Sequence, residues 1–181
     1  MDRKFSKHFQ NVIGFAFIMV LLTLMGGITG MIYVHQLNKT VPFEMVLLLS
    51  NSMFIGIGQS LIFGVLLPLG FAFVGWSMRD HLAAKRVLWL SRSFRVYTTG
   101  ALLTTIVHIY MNVALASMLM RGSADNLAAA NADLFYGSPF LRALLYSGSH
   151  IVLAAGTFWY AVILWKSLVD VRRAIESISA E

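Results

Sequence analysis

The chain has 181 residues, of which 58% are hydrophobic and 12% charged, and it carries a net charge of +6. Soluble domains carry about 25% charged residues, so this composition and a mean hydropathy of +0.74 indicate a membrane protein and exclude a sizeable soluble domain. The sequence contains no cysteine, which excludes disulfides, thiolate metal sites, iron–sulfur clusters and covalently attached c-type haem.

Four uncharged segments are long enough to cross a bilayer, whose hydrocarbon core requires about 20 apolar residues in a helix. We predict an all-α, polytopic membrane protein: a bundle of four transmembrane helices that forms a single domain over residues 1–181. The predicted spans are residues 12–34, 53–76, 96–120 and 143–165.

The second apolar segment is longer than one span needs, because it is uncharged over residues 45–78. We expect residues 45–52 to form an interfacial or re-entrant turn, since the polar side chains at positions 50–52 favour a break there. The span itself then follows, and Pro68 within it predicts a kink.

The basic residues predict the orientation, because Lys and Arg accumulate on the cytoplasmic side of membrane proteins. Of the 14 Lys and Arg residues, only Lys39, Arg121 and Arg142 fall on the outer side if the N-terminus lies inside. We therefore predict an integral protein of the bacterial inner (plasma) membrane with both termini cytoplasmic (N-in, C-in). The bilayer then explains the positive charge, and no nucleic-acid partner is expected.

The segments between and after the predicted spans are less informative about structure. Residues 79–95, on the inner side, are basic and amphipathic, which predicts a helix lying at the level of the lipid headgroups. In the outer connection, residues 121–142, we expect one or two helical turns over residues 126–133 and then an aromatic stretch that seeks the interface. Residues 166–181 are predicted to extend the last helix.

Polar side chains within the third and fourth spans are the main functional signal, because ionisable groups inside a membrane are costly. By helical spacing, Thr104, Thr105, His108 and Asn112 share one face of the third span, and Tyr146 and His150 share one face of the fourth. These faces are expected to point into the bundle, since lipid offers them no partner. His108 and His150 fall at similar depth on antiparallel helices.

Two opposed imidazoles in a helical bundle predict bis-histidine ligation of haem b. We expect an electron-transfer subunit with His108 and His150 as the axial ligands and a quinone as a candidate redox partner. The side chains expected to line the cofactor are those of Thr104, Thr105, Asn112 and Tyr146. As an enzyme, the chain would be at most the membrane-anchor or electron-transfer subunit of an oxidoreductase.

Two alternatives stay open. One is a cofactor-free structural or assembly subunit of a larger membrane complex, packed against other membrane subunits or a second copy through small faces such as Gly26 and Gly30. The other is a copper-binding or copper-transport protein with His108 and His150 as metal ligands, joined by thioethers from Met111, Met118 and Met120.

The remaining histidines, His8, His35 and His81, are expected to be ordinary interfacial residues. No motif in the sequence is specific enough to identify a family.

Overall fold

Every regular element is helical in the computed structural model, which describes residues 3–178. Four helices in this part of the chain are long and apolar enough to cross a membrane. The predicted all-α class is therefore confirmed, as is the number of helices with the length and hydropathy that a membrane span requires.

The long helices follow one another along the chain, and the short helices come just before the last long one. The elements are α1 (Arg3–Leu37), α2 (Phe43–Leu61), a π-helical turn (Ile62–Leu66), α3 (Leu67–Ser77), α4 (Ala84–Met120), α5 (Leu127–Asp133), a 3₁₀ turn (Leu134–Gly137), α6 (Pro139–Arg142), a second π-helical turn (Ala143–Ser147) and α7 (Gly148–Ile178). The predicted extension over residues 166–181 is helical as far as Ile178, and its last three positions lie outside the described residues.

The turn predicted at residues 45–52 is wrong, because these residues belong to α2. The hydroxyl of Ser50 donates a hydrogen bond to the Val46 carbonyl at 2.7 Å, so this polar side chain is satisfied within the helix. The hydroxyl of Ser52 donates to the Asn112 side-chain oxygen at 3.1 Å. These polar side chains do not break the helix, because the hydroxyls of Ser50 and Ser52 each donate a hydrogen bond to an acceptor within the protein.

Pro68 is the second residue of α3, just after the first π-helical turn. The Leu67 N–H bonds to the Ile62 carbonyl, five residues earlier, and Pro68 has no N–H to offer the next carbonyl. The Phe63 carbonyl accepts instead from the hydroxyl of Tyr97 on α4. A π-helical turn thus lies just before Pro68, where a kink was predicted, and the Phe63 carbonyl that Pro68 cannot satisfy links two helices.

Residues 79–95 do not form a separate helix of their own, as a helix lying at the level of the lipid headgroups would. Helix α4 begins at Ala84 and runs without a break through the third predicted span. Val87, Leu90 and Phe94 form a stripe at helical spacing, and this stripe is buried in the bundle. An Arg86–Asp170 ion pair of 2.7 Å joins α4 to α7 at the same end. The apolar stripe packs against neighbouring helices rather than against lipid.

Helix α4 is the central element, because it contacts α1, α2 and α7, and its contact with α7 is the most extensive in the chain. Two glycines allow this close approach. A Cβ at Gly100 would overlap the backbone of Leu153, and a Cβ at Gly156 would overlap the backbone of Tyr97. The backbones of α4 and α7 therefore meet directly at these two levels.

His8 is not the interfacial residue that the sequence predicts. Helix α1 extends well before the apolar run, so that His8 lies on its buried face, with only 5% of the residue exposed. Its Nε2 atom lies 3.0 Å from the hydroxyl of Tyr160 on α7, and its ring packs edge-on against Phe94 with centroids 5.7 Å apart. This contact joins the beginning of the chain to the last long helix.

We expect Tyr160→Phe to lower the free energy of unfolding by about 1 kcal/mol, because the variant leaves a buried ring nitrogen of His8 without its partner. Thermal unfolding of the purified protein in detergent measures the change. Tyr136→Phe is the matched control, since Tyr136 is 96% exposed. Equal unfolding temperatures for the two variants would contradict the role of this hydrogen bond.

The outer connection contains the predicted short helix, α5. Its first turn is capped by the side-chain oxygen of Asn126, which accepts the Ala129 N–H at 2.9 Å. Phe135 and Tyr136 then adopt left-handed backbone angles, with φ values of 57° and 59°. Phe135 is buried and its ring lies 5.2 Å from that of Tyr110 on α4, whereas Tyr136 is exposed. The connection therefore folds back onto the end of α4.

Candidate functional site

The two histidines singled out by the sequence lie next to each other. The ring of His108 on α4 and the ring of His150 on α7 have centroids 5.5 Å apart and planes inclined at 68°. The rings contact each other edge to face, and both residues are half-buried. The bundle thus brings together two imidazoles that are 42 positions apart in the chain.

Each imidazole is oriented by the carbonyl four residues earlier in the chain. The Nδ1–H of His108 donates to the Thr104 carbonyl at 2.8 Å, and the Nδ1–H of His150 donates to the Tyr146 carbonyl at 2.7 Å. A carbonyl only accepts hydrogen bonds, so the proton resides on Nδ1 in both rings. In the neutral state, each Nε2 then has the lone pair that a metal ligand requires.

Tyr146 completes what we call the aromatic triad, defined as His108, Tyr146 and His150. Its ring centroid lies 4.6 Å from that of His150 and 5.7 Å from that of His108. It belongs to the second π-helical turn, which precedes α7, and such turns occur frequently at functional sites. Tyr146 itself is 38% exposed, so the triad is not sealed inside the protein.

Helix α2 passes close to the triad on the other side of His108. A Cβ at Gly56 would lie 3.6 Å from the Cβ of His108 and 3.7 Å from its Cδ2. Glycine at this position therefore lets α2 approach the histidine within ordinary van der Waals distance. His108 lies where α2, α4 and α7 come together.

The polar face predicted on α4 is divided between two neighbours. Thr105 and Asn112 turn towards α2, where their side chains lie 3.2 Å from the Ser60 hydroxyl and 3.1 Å from the Ser52 hydroxyl. They were expected to line a cofactor beside His150, and they instead join α4 to α2. On a helix, residues seven apart, such as Thr105 and Asn112, lie almost along one line. Residues four apart, such as Thr104 and His108, follow a different line around the axis. The two pairs therefore face different neighbours.

Thr104 contributes its backbone rather than its side chain. The residue is buried, and its hydroxyl has no hydrogen-bond partner among residues 3–178. A cavity of about 40 Å³, which Thr104 does not line, lies between α1, α2 and α4 and is lined by the polar side chains of Thr23, Ser60, Thr105, His108 and Asn112. This volume and polarity suit one bound water.

The distance between the rings fits a single metal ion. Zinc and copper bind imidazole nitrogen at about 2.0 Å, which puts the centroids of two imidazoles on one ion about 5 to 6 Å apart. The observed separation of 5.5 Å lies in this interval. No group of three His, Cys, Asp or Glu side chains that could hold a metal ion is found within residues 3–178.

The methionines that were considered as copper ligands pack against an apolar cluster. Met111, Met118 and Met120 lie against the apolar cluster that contains Leu119 and Phe135. Their long, flexible side chains fill the space between buried residues of this cluster.

A porphyrin between His108 and His150 demands more space than this arrangement provides. Directly packed helices lie about 8–10 Å apart, and α4 and α7 meet backbone to backbone at Gly100 and Gly156. The two rings also touch each other, with no gap for a macrocycle. Haem b thus stays a prediction, and it requires that α4 and α7 separate at the level of the triad.

The chain matches no family model, and neither a curated protein nor a solved structure is significantly similar to it. The residues of the triad and their geometry are therefore the basis for assigning a function.

Proposed function

We propose that this protein binds one transition-metal ion within the membrane, with His108 and His150 as its protein ligands. One observation carries the proposal. The two imidazoles lie 5.5 Å apart, and each is held with its Nδ1–H on a carbonyl of the preceding helical turn. Both Nε2 atoms are thus available as ligands, and hydrogen bonding of the opposite nitrogen is the usual support of a metal-bound histidine.

Copper is the ion that we favour. Imidazole binds copper and zinc well, whereas carboxylates are the preferred ligands of magnesium, calcium and manganese. No Asp or Glu is found in the uncharged segments that carry the two histidines. Copper also tolerates low coordination numbers, which suits a site with two protein nitrogens and the phenol of Tyr146 beside them.

The exposure of the triad supports a role in holding and passing on the ion. Because Tyr146 is 38% exposed and the histidines are half-buried, a partner chain can supply the missing ligand from the side. A partner membrane subunit or a second copy of this chain would be the source of that ligand. A conduction path across the membrane is not favoured, since such paths usually contain charged side chains within the spans.

The metal content and the absorption spectrum of the same purified sample test this proposal. We expect about one copper ion per chain by elemental analysis and no Soret band in the oxidised or dithionite-reduced protein. A Soret band would instead support the haem b prediction. Protein that contains neither metal nor haem, after purification without chelators, would overturn both and favour the cofactor-free subunit of a larger complex.

We further propose that the chain lies in a bacterial inner membrane with both termini in the cytoplasm. The positions of the basic residues support this orientation. Because the sequence has no native cysteine, single cysteines report on it without background. We expect a membrane-impermeant maleimide to label Ala128→Cys, in α5, on intact spheroplasts, and to label Ala83→Cys, before α4, only after lysis. The reverse pattern would invert the orientation.

A further inference from the structure

A second site is suggested by a groove between α1 and α4, far from the aromatic triad. It lies at the end of the bundle where both helices begin, and its volume is about 650 Å³. Its rim is basic, with Lys4, Lys7 and Arg95, and its wall contains Phe15, Ile18 and Leu102. Neither the sequence patterns discussed above nor the proposed metal site uses this groove.

Lys7 and Arg95 have no counter-charge in the groove among the described residues. No carboxylate lines the groove within the described part of the chain. The ion pairs formed by residues 3–178 engage Arg79, Arg86 and Arg172, so that neither Lys7 nor Arg95 takes part in them. Cations that share one groove repel each other, and an anion between them removes this repulsion.

The apolar wall continues from the rim along the helices into the uncharged segments. Ile18 follows Lys7 by about 16 Å of helical rise, and Leu102 follows Arg95 by about 10 Å. A long apolar channel below a cluster of cations matches an amphiphile whose anionic head is at the interface. A peptide is a poorer match, because its backbone would be left without hydrogen bonds along the apolar wall.

We propose that this groove binds one anionic phospholipid. Its phosphate is held by Lys7 and Arg95, and one acyl chain lies against Phe15, Ile18 and Leu102. Gly14 also lines the groove, and apart from its own chain neighbours and the nearby backbone of α1 no heavy atom lies within 4 Å of the position that its Cβ would occupy. This open space is where the chain of the lipid passes α1.

Lipid binding to the purified full chain in detergent tests the proposal, with dioleoyl phosphatidylglycerol and dioleoyl phosphatidylcholine as the probes and native mass spectrometry as the measurement. We expect the wild type to retain one phosphatidylglycerol in preference to phosphatidylcholine. The double variant Lys7→Gln/Arg95→Gln should lower the affinity for phosphatidylglycerol about 30-fold, because it removes two cations near the headgroup.

Two further variants separate a site from general attraction. Lys85→Gln/Lys166→Gln removes the same charge outside the groove, so it should keep the preference for phosphatidylglycerol. Gly14→Leu keeps every charge and fills the groove, so it should lose the bound lipid. Thermal unfolding confirms that each variant is folded.

Three results would overturn the proposal. The first is equal loss of lipid in both double variants, which indicates surface charge alone. The second is full retention of lipid by Gly14→Leu. The third is displacement of the lipid by inorganic phosphate at similar concentration, which indicates an anion site without a binding channel for the acyl chain.

Discussion

Gly100→Ala and Gly156→Ala should each disrupt the packing of α4 against α7. A Cβ at either position would overlap backbone atoms of the opposite helix, Leu153 in one case and Tyr97 in the other. Backbone cannot move aside as a side chain can, so the two helices would have to separate along their whole contact. We expect each substitution to lower the free energy of unfolding by about 3 kcal/mol, measured by thermal or denaturant unfolding in detergent.

Other glycines of the same chain provide the matched control. At Gly58 and Gly70, which lie in α2 and α3, no heavy atom is found within 4 Å of an added Cβ. Alanine there should leave stability unchanged or raise it by up to about 1 kcal/mol, because alanine favours the helix. If all four substitutions had similar effects, close approach at Gly100 and Gly156 would not be what holds α4 to α7.

His108→Ala and His150→Ala should each reduce copper affinity by more than about 100-fold. Loss of a group that merely supports a ligand costs 10- to 100-fold in affinity, and each variant removes one of only two protein ligands. Tyr146→Phe should have a smaller effect, about tenfold, since it keeps the carbonyl that orients His150. Competition with a chromophoric copper chelator measures the affinity of each variant.

Two kinds of control make this result specific. His35→Ala and His81→Ala remove exposed imidazoles outside the triad and should leave the affinity unchanged. Thr104→Val keeps the carbonyl that orients His108 and removes only a hydroxyl without a partner among the described residues, so it should also bind copper normally. Equal affinity in the wild type and His108→Ala would exclude the triad as the site.

The number of long helices was predictable, because crossing a bilayer needs a length of apolar sequence that can be read locally. The residues at which these helices begin and end were not predictable. Helix α1 begins well before the predicted boundary at residue 12, and α4 begins at Ala84 rather than at residue 96. Charged residues do not end a helix when the apolar residues between them, such as Val87 and Leu90, find a buried surface.

The pairing of His108 with His150 was also predictable, since helical rise per residue is constant and gave both the same depth. Which residues form the site was only partly predictable. Tyr146 joins the two histidines, whereas Thr105 and Asn112 bond towards α2. A helical face spans a wide angle, and the sequence of one helix does not reveal which neighbour covers each part of it.

The sequence by itself determined an all-helical protein, its four long apolar helices and two histidines at similar depth, because hydropathy and helical periodicity are local properties. Only the tertiary structure decided that α4 is central, that Gly100 and Gly156 permit backbone contact with α7, and that His8 is buried against Tyr160. These features depend on contacts between segments far apart in the chain, where packing and hydrogen bonding select one arrangement among many with the same hydropathy.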